Sequence, residues 1–170
     1  MNALPILGAY LAAAGPPPAV AETVVRSLYP MVSFAANTEP DWDRVRGLFI
    51  KQAVVTLRTS RTTTSVFDVE GFINDFVRFA ARPAVRAAGF RERVVRLKAT
   101  EYGAIAHVLV LYEAEVLGVA KPAQRGVDSF HLLRRNGEWK IVSIINEVVT
   151  PARPLPPELR DEKETGPMPG

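Results

Sequence analysis

The chain contains no cysteine and only two histidines, His107 and His131. The first absence excludes disulfides, thiolate metal sites and a cysteine nucleophile. The second argues against a histidine-rich metal centre, so no metal site is expected. There is no phosphate-binding glycine loop and no internal repeat, and no cofactor is expected. The longest apolar run, residues 3–14, is too short to cross a bilayer as a helix. Charge of one sign is not concentrated either. The net charge of +3 comes from arginines spread between Arg26 and Arg160, mostly interleaved with apolar residues. The tightest basic groups are Arg91, Arg93, Arg96, Lys98 and Arg134, Arg135, Lys140. Both fall in strand-like or turn-like segments and read as a solvated outer face. Nucleic acid needs a denser basic stripe and is not expected as a partner.

What is present is an ordinary globular balance: 170 residues, 48% apolar and 23% charged. That length suits one domain with tails and buries a core without covalent staples. Residues 1–21 carry no charge and end on Ala19-Val20-Ala21, a small-x-small pattern of the signal-peptidase kind. Two readings stand open: a secretory signal, giving a secreted or periplasmic protein whose mature chain starts at Glu22, or a disordered arm on a cytoplasmic one. Residues 152–170 are dominated by proline and charge, and read as a flexible tail whose first few residues can pack.

Between these tails, Val24, Val25, Leu28, Val32 and Ala35 have helical spacing, interrupted by Pro30. Pro40 is placed to open a short helix that carries Trp42, Val45, Leu48 and Phe49 on one face. Residues 53–57 read as a strand and 60–65 as a polar loop. Asp68 is a good N-cap for a helix whose stripe is Val69, Phe72, Ile73, Phe76, Val77 and Ala80. Gly89 can close the short helical turn after Pro83.

Two hairpins follow. In the first, residues 90–101 and 104–116 turn at Tyr102-Gly103, with Val95, Leu97, Ala106, Val108, Val110 and Tyr112 expected on the inner face. His107, Arg96, Lys98, Leu109 and Glu113 then lie outside. The second turns at Asn136-Gly137, the strongest short hairpin signal because both residues tolerate the positive φ of a type I′ turn. Pairing Arg135 with Glu138 puts Trp139, Ile141, Phe130, Leu132, Ser143 and Ile145 on one face, with Asp128 and Glu147 at its far end. The other face takes Val127, Ser129, His131, Leu133, Val142, Ile144 and Asn146. Both faces are rich in apolar groups, so helices are expected on one and a second subunit on the other. A one-residue slip would swap the faces.

Five stretches, Asp41–Arg44 with Gly47–Phe49, Asp68–Glu70, Ala104–Glu113, Arg125–Phe130 and Gly137–Ile144, carry a resemblance. Over Glu22 to Pro151 the chain resembles the NTF2-like superfamily, in its SnoaL-like and DUF4440-like bacterial branch. The resemblance implies an α+β cone: a curved, mostly antiparallel sheet wrapped around N-terminal helices, over residues 22–151. It also implies a homodimer through the outer sheet face. The superfold hosts isomerases, dehydratases, binding proteins and dimerisation modules, so fold does not settle function.

A cone with an apolar lining and a few polar groups is a natural small-molecule site. The expected lining is Asp128, Glu147, Ser143 and Tyr112, with Phe72 and Phe76 as an aromatic wall. If Asp128 and Glu147 were neighbours in a dry pocket, their pKa values would be pushed apart, giving one acid and one base. The plainer reading leaves both solvated or paired with Arg125 or Arg153, and the phenylalanines as core. His107, on the outer face, reads as a structural or interface histidine, as does His131. Three functions are therefore weighed: binding of a small apolar or amphipathic molecule, cofactor-free isomerase or dehydratase chemistry, and a dimerisation module with a filled cone.

Overall fold

A computed structural model describes residues 20–58 and 62–161. Helix α1 (Ala21–Val32) buries Val25, Leu28, Tyr29 and Val32, the i, i+3, i+4, i+7 set of one helical face. It carries Pro30 in its last turn and stops two residues later. After the short strand β1 (Phe34–Ala35) comes α2 (Trp42–Arg46). The residue that caps α2 is Asp41, whose carboxylate accepts the Arg44 N–H at 3.1 Å, so Pro40 stands before the cap rather than in the first turn. Phe49, expected on that helix, opens β2 (Phe49–Arg58). The polar stretch read as a loop yields part of a strand, β3 (Thr64–Phe67), because Ser65 and Thr64 pair with Leu57 and Arg58.

Asp68 caps α3 (Val69–Ala80) as expected, accepting the Gly71 N–H at 2.7 Å. Pro83 opens α4 (Pro83–Ala88), and Gly89 ends it at φ +88°. Four long strands follow: β4 (Gly89–Tyr102), β5 (Ile105–Val116), β6 (Gln124–Arg135) and β7 (Glu138–Val148). The turn joining β6 and β7 has positive φ at both Asn136 and Gly137, the geometry those residues favour.

The seven strands form one curved, unclosed sheet in the order β1-β4-β5-β6-β7-β2-β3. It is mixed: β2 runs parallel to β7, and the other pairs are antiparallel. Helices α1 and α3 pack on the inner face. Their Val25, Leu28, Phe72 and Ile73 meet Val108, Val110, Phe130, Leu132, Trp139 and Ile141 in the main core. Burial of each such side chain contributes about 1.5–3 kcal/mol. A satellite cluster of Phe34, Val85 and Phe90 sits under α4, with Phe76 and Phe79 packed against it.

Two bulges set which side chains face inward. Arg135 does pair with Glu138, but the register shifts between His131 and Leu132, leaving Val142 as an extra residue on β7. Beyond it the alternation inverts. Ser143 lies opposite His131 and Glu147 opposite Val127, both on the outer face; Ile144 and Asn146 turn inward, opposite Phe130 and Asp128. In the first hairpin Tyr102 pairs with Ile105, a slip of two residues that preserves the expected faces. A second shift leaves Val95 as the extra residue, so Val94 rather than Val95 shares the face of Tyr112. The same inversion brings Glu92 and Phe90 inside.

The outer face is partly covered. The tail from Thr150 crosses it, and a single 3-10 turn, Pro157–Leu159, lies on β4 and β5. Leu159 and the outer-face Leu111 are both fully buried. Arg96 clasps the tail: Nη1 donates to the Leu159 carbonyl at 2.6 Å, and the guanidinium pairs with Asp161. One leucine and one arginine thus hold the first part of the tail, up to Asp161, on the sheet. On the uncovered part of the same face, His107 and His131 lie side by side with ring centroids 5.2 Å apart. Of the expected arm or signal over residues 1–21, residues 1–19 fall outside the described residues, as do the last residues, 162–170, while Ala21 opens α1.

Candidate functional site

Beyond the two bulges the sheet and the helices stay apart and enclose a half-open cavity of about 820 Å³. That volume lies within the range of small-molecule sites. Its walls come from α1, α3, α4 and strands β2 and β4 to β7. Phe72, Phe76, Phe79 and Phe90 make one continuous aromatic side. Phe76 sits 5.6 Å from Phe72, 6.0 Å from Phe79 and 5.8 Å from Phe90, each edge to face.

The floor is polar. Asp128 is only 9% exposed. The Tyr29 hydroxyl donates to its Oδ2 at 2.7 Å, and Asn146 Nδ2 donates to its Oδ1 at 2.7 Å. The Asn146 amide is oriented from its other side, where Oδ1 accepts the Arg58 N–H at 3.3 Å. Its Nδ2 also donates to the Tyr112 hydroxyl at 3.0 Å, which leaves the Tyr112 hydrogen available to another acceptor. Gly126 faces Tyr112 across β5 and β6. A Cβ there would stand 2.3 Å from the Tyr112 Oη and 2.4 Å from its ring, so the absent side chain is what lets the ring lie across the strand toward Asn146.

A second carboxyl joins them. Glu92 lines the cavity, half-buried, and its backbone is fixed by Ser33, whose Oγ accepts the Glu92 N–H at 2.9 Å. Among the described residues its carboxyl has no hydrogen-bond partner. Burial, with the charge of Asp128 added, pushes Glu92 up to about 8. Burial also raises Asp128, to about 6, against the downward pull of the bonds from Tyr29 and Asn146. Tyr29 and Tyr112 are raised above their ordinary range, chiefly by burial. At neutral pH the floor therefore holds one ionised carboxylate, Asp128, and one carboxylic acid, Glu92. Together with the Tyr112 hydroxyl this presents donors and an acceptor side by side.

Of the six residues expected to line the cone, Asp128, Tyr112, Phe72 and Phe76 line the cavity. Ser143 does not: it lies on the outer face, within 3.1 Å of His131 Nδ1. Glu147 does not either. It is paired with Arg153 at 3.0 Å and Arg58 at 3.3 Å. Its carboxyl is held below the usual range, first by the Val148 N–H and then by those arginines. The plainer reading of Glu147 is the one the geometry supports, and the Val142 bulge is the cause. His107 lies outside as expected, within 2.9 Å of Ser129 Oγ.

Three floor residues escaped the sequence reading: Tyr29, Glu92 and Asn146. Tyr29 completes the α1 stripe at i+4 from Val25, a signal that was available. Glu92 alternates with Phe90 and Val94 between arginines, so placing Arg91 and Arg93 outside would have placed it inside. Asn146 carried no such signal without the bulge.

The family model described as "Putative lumazine-binding" matches residues 32–145. The chain belongs to that family. The matched segment spans Glu92, Tyr112 and Asp128, while Tyr29 and Asn146 lie just outside it. No curated protein matches this lumazine-binding-like chain. Among solved structures it is similar to a protein with a cystatin-like fold from Caulobacter vibrioides: 12% identity, TM-score 0.59, 77% of this chain and 88% of that one. It is also similar to an NTF2-like protein with a cystatin-like fold from Novosphingobium aromaticivorans: 10% identity, TM-score 0.58, 76% of this chain and 79% of that one. A third, titled a "Putative Scytalone Dehydratase" from the same organism, shares 10% identity at TM-score 0.55 over 76% of this chain and 81% of that one. At these identities the likeness concerns the fold, and the fold is NTF2-like.

Proposed function

We propose that the lumazine-binding-like domain holds a small, ring-bearing, largely apolar molecule with its polar edge on the cavity floor. The observation that carries this is the Glu92 acid, without an internal partner, beside the Tyr112 hydroxyl and the Asp128 carboxylate at the base of a phenylalanine-walled cavity. The Glu92 carboxyl and the Tyr112 hydroxyl hydrogen both face the half-open cavity, and a ligand carbonyl accepting from the two would replace solvent there with a fixed partner. An N–H on the same ligand edge would donate to Asp128. Lumazine, the compound in the family's description, is a fused two-ring heterocycle with carbonyls and N–H groups on one edge, which is the pattern this floor calls for. Fluorescence titration with lumazine, beside native mass spectrometry of the purified protein, tests the reading. Binding that weakens in Glu92→Leu and Tyr112→Phe, and is largely kept in Glu92→Gln, whose amide still donates, is expected. Failure of lumazine and of simple aromatic ketones to bind below millimolar concentration would end it.

A second reading is proton transfer without a cofactor, favoured by the split between Asp128 at about 6 and Glu92 at about 8. Between those values Asp128 can take a proton and Glu92 can give one. The expected signature is a bell-shaped pH profile of isomerisation or dehydration, lost in Asp128→Asn.

The uncovered outer face supports a homodimer. Ile105, Ile145 and Val54 are exposed there around the His107–His131 pair, in a patch whose centre carries no Lys, Arg, Asp or Glu. Mass by light scattering checks it, and a monomer at micromolar concentration would contradict it. Export rests on the small-x-small pattern ending at Ala21, and N-terminal sequencing of the protein from its own host decides it.

A further inference from the structure

The mouth of the cavity carries positive charge that the described residues do not neutralise. Among the described residues four cationic side chains line the cavity: Arg58, Arg78, Arg82 and Lys121. Arg58 pairs with Glu147 at 3.3 Å, and Arg78 pairs with Asp75 at 3.1 Å. The one other acid on the exposed part of the lining, Glu115, is held by Arg91. Among the described residues Arg82 and Lys121 have no ion-pair partner. Both are exposed, Arg82 on the α3–α4 connection and Lys121 on the β5–β6 connection, whereas Asp128, on the same lining, is buried.

Arg82 is also held in place. Its guanidinium lies over the Phe79 ring, 5.4 Å from the centroid, and that ring stands 5.0 Å from Phe90 in the aromatic wall. A guanidinium on an aromatic face keeps its charge and its outward N–H donors. A fixed cation therefore sits where the apolar wall meets solvent.

We propose that the cavity takes an anionic amphiphile, whose rings lie against the phenylalanines and whose carboxylate, sulfonate or phosphate is held at the mouth by Arg82 and Lys121. This rests on the small-molecule reading of the cavity and adds the ligand's charge and orientation to it. The floor supplies the orientation: an anionic group beside the Asp128 carboxylate would be repelled, while the same group at the mouth meets two uncommitted cations.

Two probes with the same rings separate the terms. 1-Anilinonaphthalene-8-sulfonate carries a sulfonate, and N-phenyl-1-naphthylamine lacks it. Both are titrated into the full chain and into the double variant Arg82→Gln, Lys121→Gln. These exposed side chains leave the fold intact, which circular dichroism checks. The double variant is expected to weaken the sulfonate about tenfold at low salt, the scale of two exposed ion pairs, and to leave the neutral probe within about twofold. Added salt removes the difference in the unsubstituted protein. Equal changes for the two probes, or none, overturn the anion site while leaving the cavity reading standing. If neither probe binds the unsubstituted protein, both readings fall. Ala114→Phe, which narrows the cavity from β5, is expected to weaken both probes. Its failure to do so would locate the probes elsewhere and overturn the proposal as well.

Discussion

Asn146 donates to Asp128 at 2.7 Å across β6 and β7, and the two residues face each other only because Val142 is an extra residue between them and the turn. With strict alternation from Asn136-Gly137, Ile145 would stand opposite Asp128 and Asn146 would face outward. A single bulge thus exchanges an apolar neighbour for a hydrogen-bond donor at the more deeply buried carboxylate of the floor.

Asn146→Ala removes that donor and the one to Tyr112. The cost expected is about 1–3 kcal/mol, the price of leaving buried acceptors unmet. Because the Asn146 bond favours the ionised form of Asp128, its loss also moves the Asp128 titration upward from about 6. Urea denaturation and side-chain carboxyl NMR check the two parts separately, and an unchanged titration would contradict the contact.

Gly126→Ala puts a methyl group where the Tyr112 ring now lies. Neither the ring nor the strand can yield without breaking the Tyr112–Asn146 contact. A loss of about 1–3 kcal/mol is expected, as for other overpacked sites, together with weaker ligand binding. Adding Tyr112→Ala should recover part of the stability but not the binding, so a double-mutant cycle reads the contact directly.

Stability should fall as pH rises from 5 to 9. Both Asp128 and Glu92 have folded-state values above their ordinary ones, about 6 against 3.8 and about 8 against 4.5. The folded chain then holds protons that the unfolded chain has released. This contribution is complete below the ordinary carboxylate range and is lost as pH passes through about 6 and then about 8. Glu92→Gln is expected to flatten the upper part of the decline. Thermal melts at half-unit pH steps decide it, and a flat profile over pH 5–9 in the unsubstituted protein would count against the raised values of both cavity carboxyls.

Leu159→Ala empties the site that Leu159 fills over β4 and β5, where it is fully buried. The expected cost is about 2–5 kcal/mol. Arg96→Gln, which releases the Leu159 carbonyl and Asp161, should free the tail with a smaller loss. Proteolysis between residues 150 and 161 reports the release; a tail that stays resistant in both variants would show that other contacts hold it.

The sequence by itself determined the order of the long elements, the Asp68 cap and the Asn136-Gly137 turn, each a local property read from caps, turn residues and periodicity within one segment. The NTF2-like class came from the resemblance that five stretches carry. The sequence also placed Asp128 and Tyr112 on the inner face, since neither lies on the bulged stretch of a strand. What tertiary structure decided was the floor's composition. The bulges at Val95 and Val142 depend on how two strands curve around the helices. That curvature brought Glu92 and Asn146 in and turned Ser143 and Glu147 out. Tyr29 reaches Asp128 from a helix 99 positions away in the chain, a meeting set by the packing of α1 on the sheet. The fate of the tail was likewise decided by packing, because Leu159 is ordinary in its own segment and becomes an anchor only over Leu111 and Arg96.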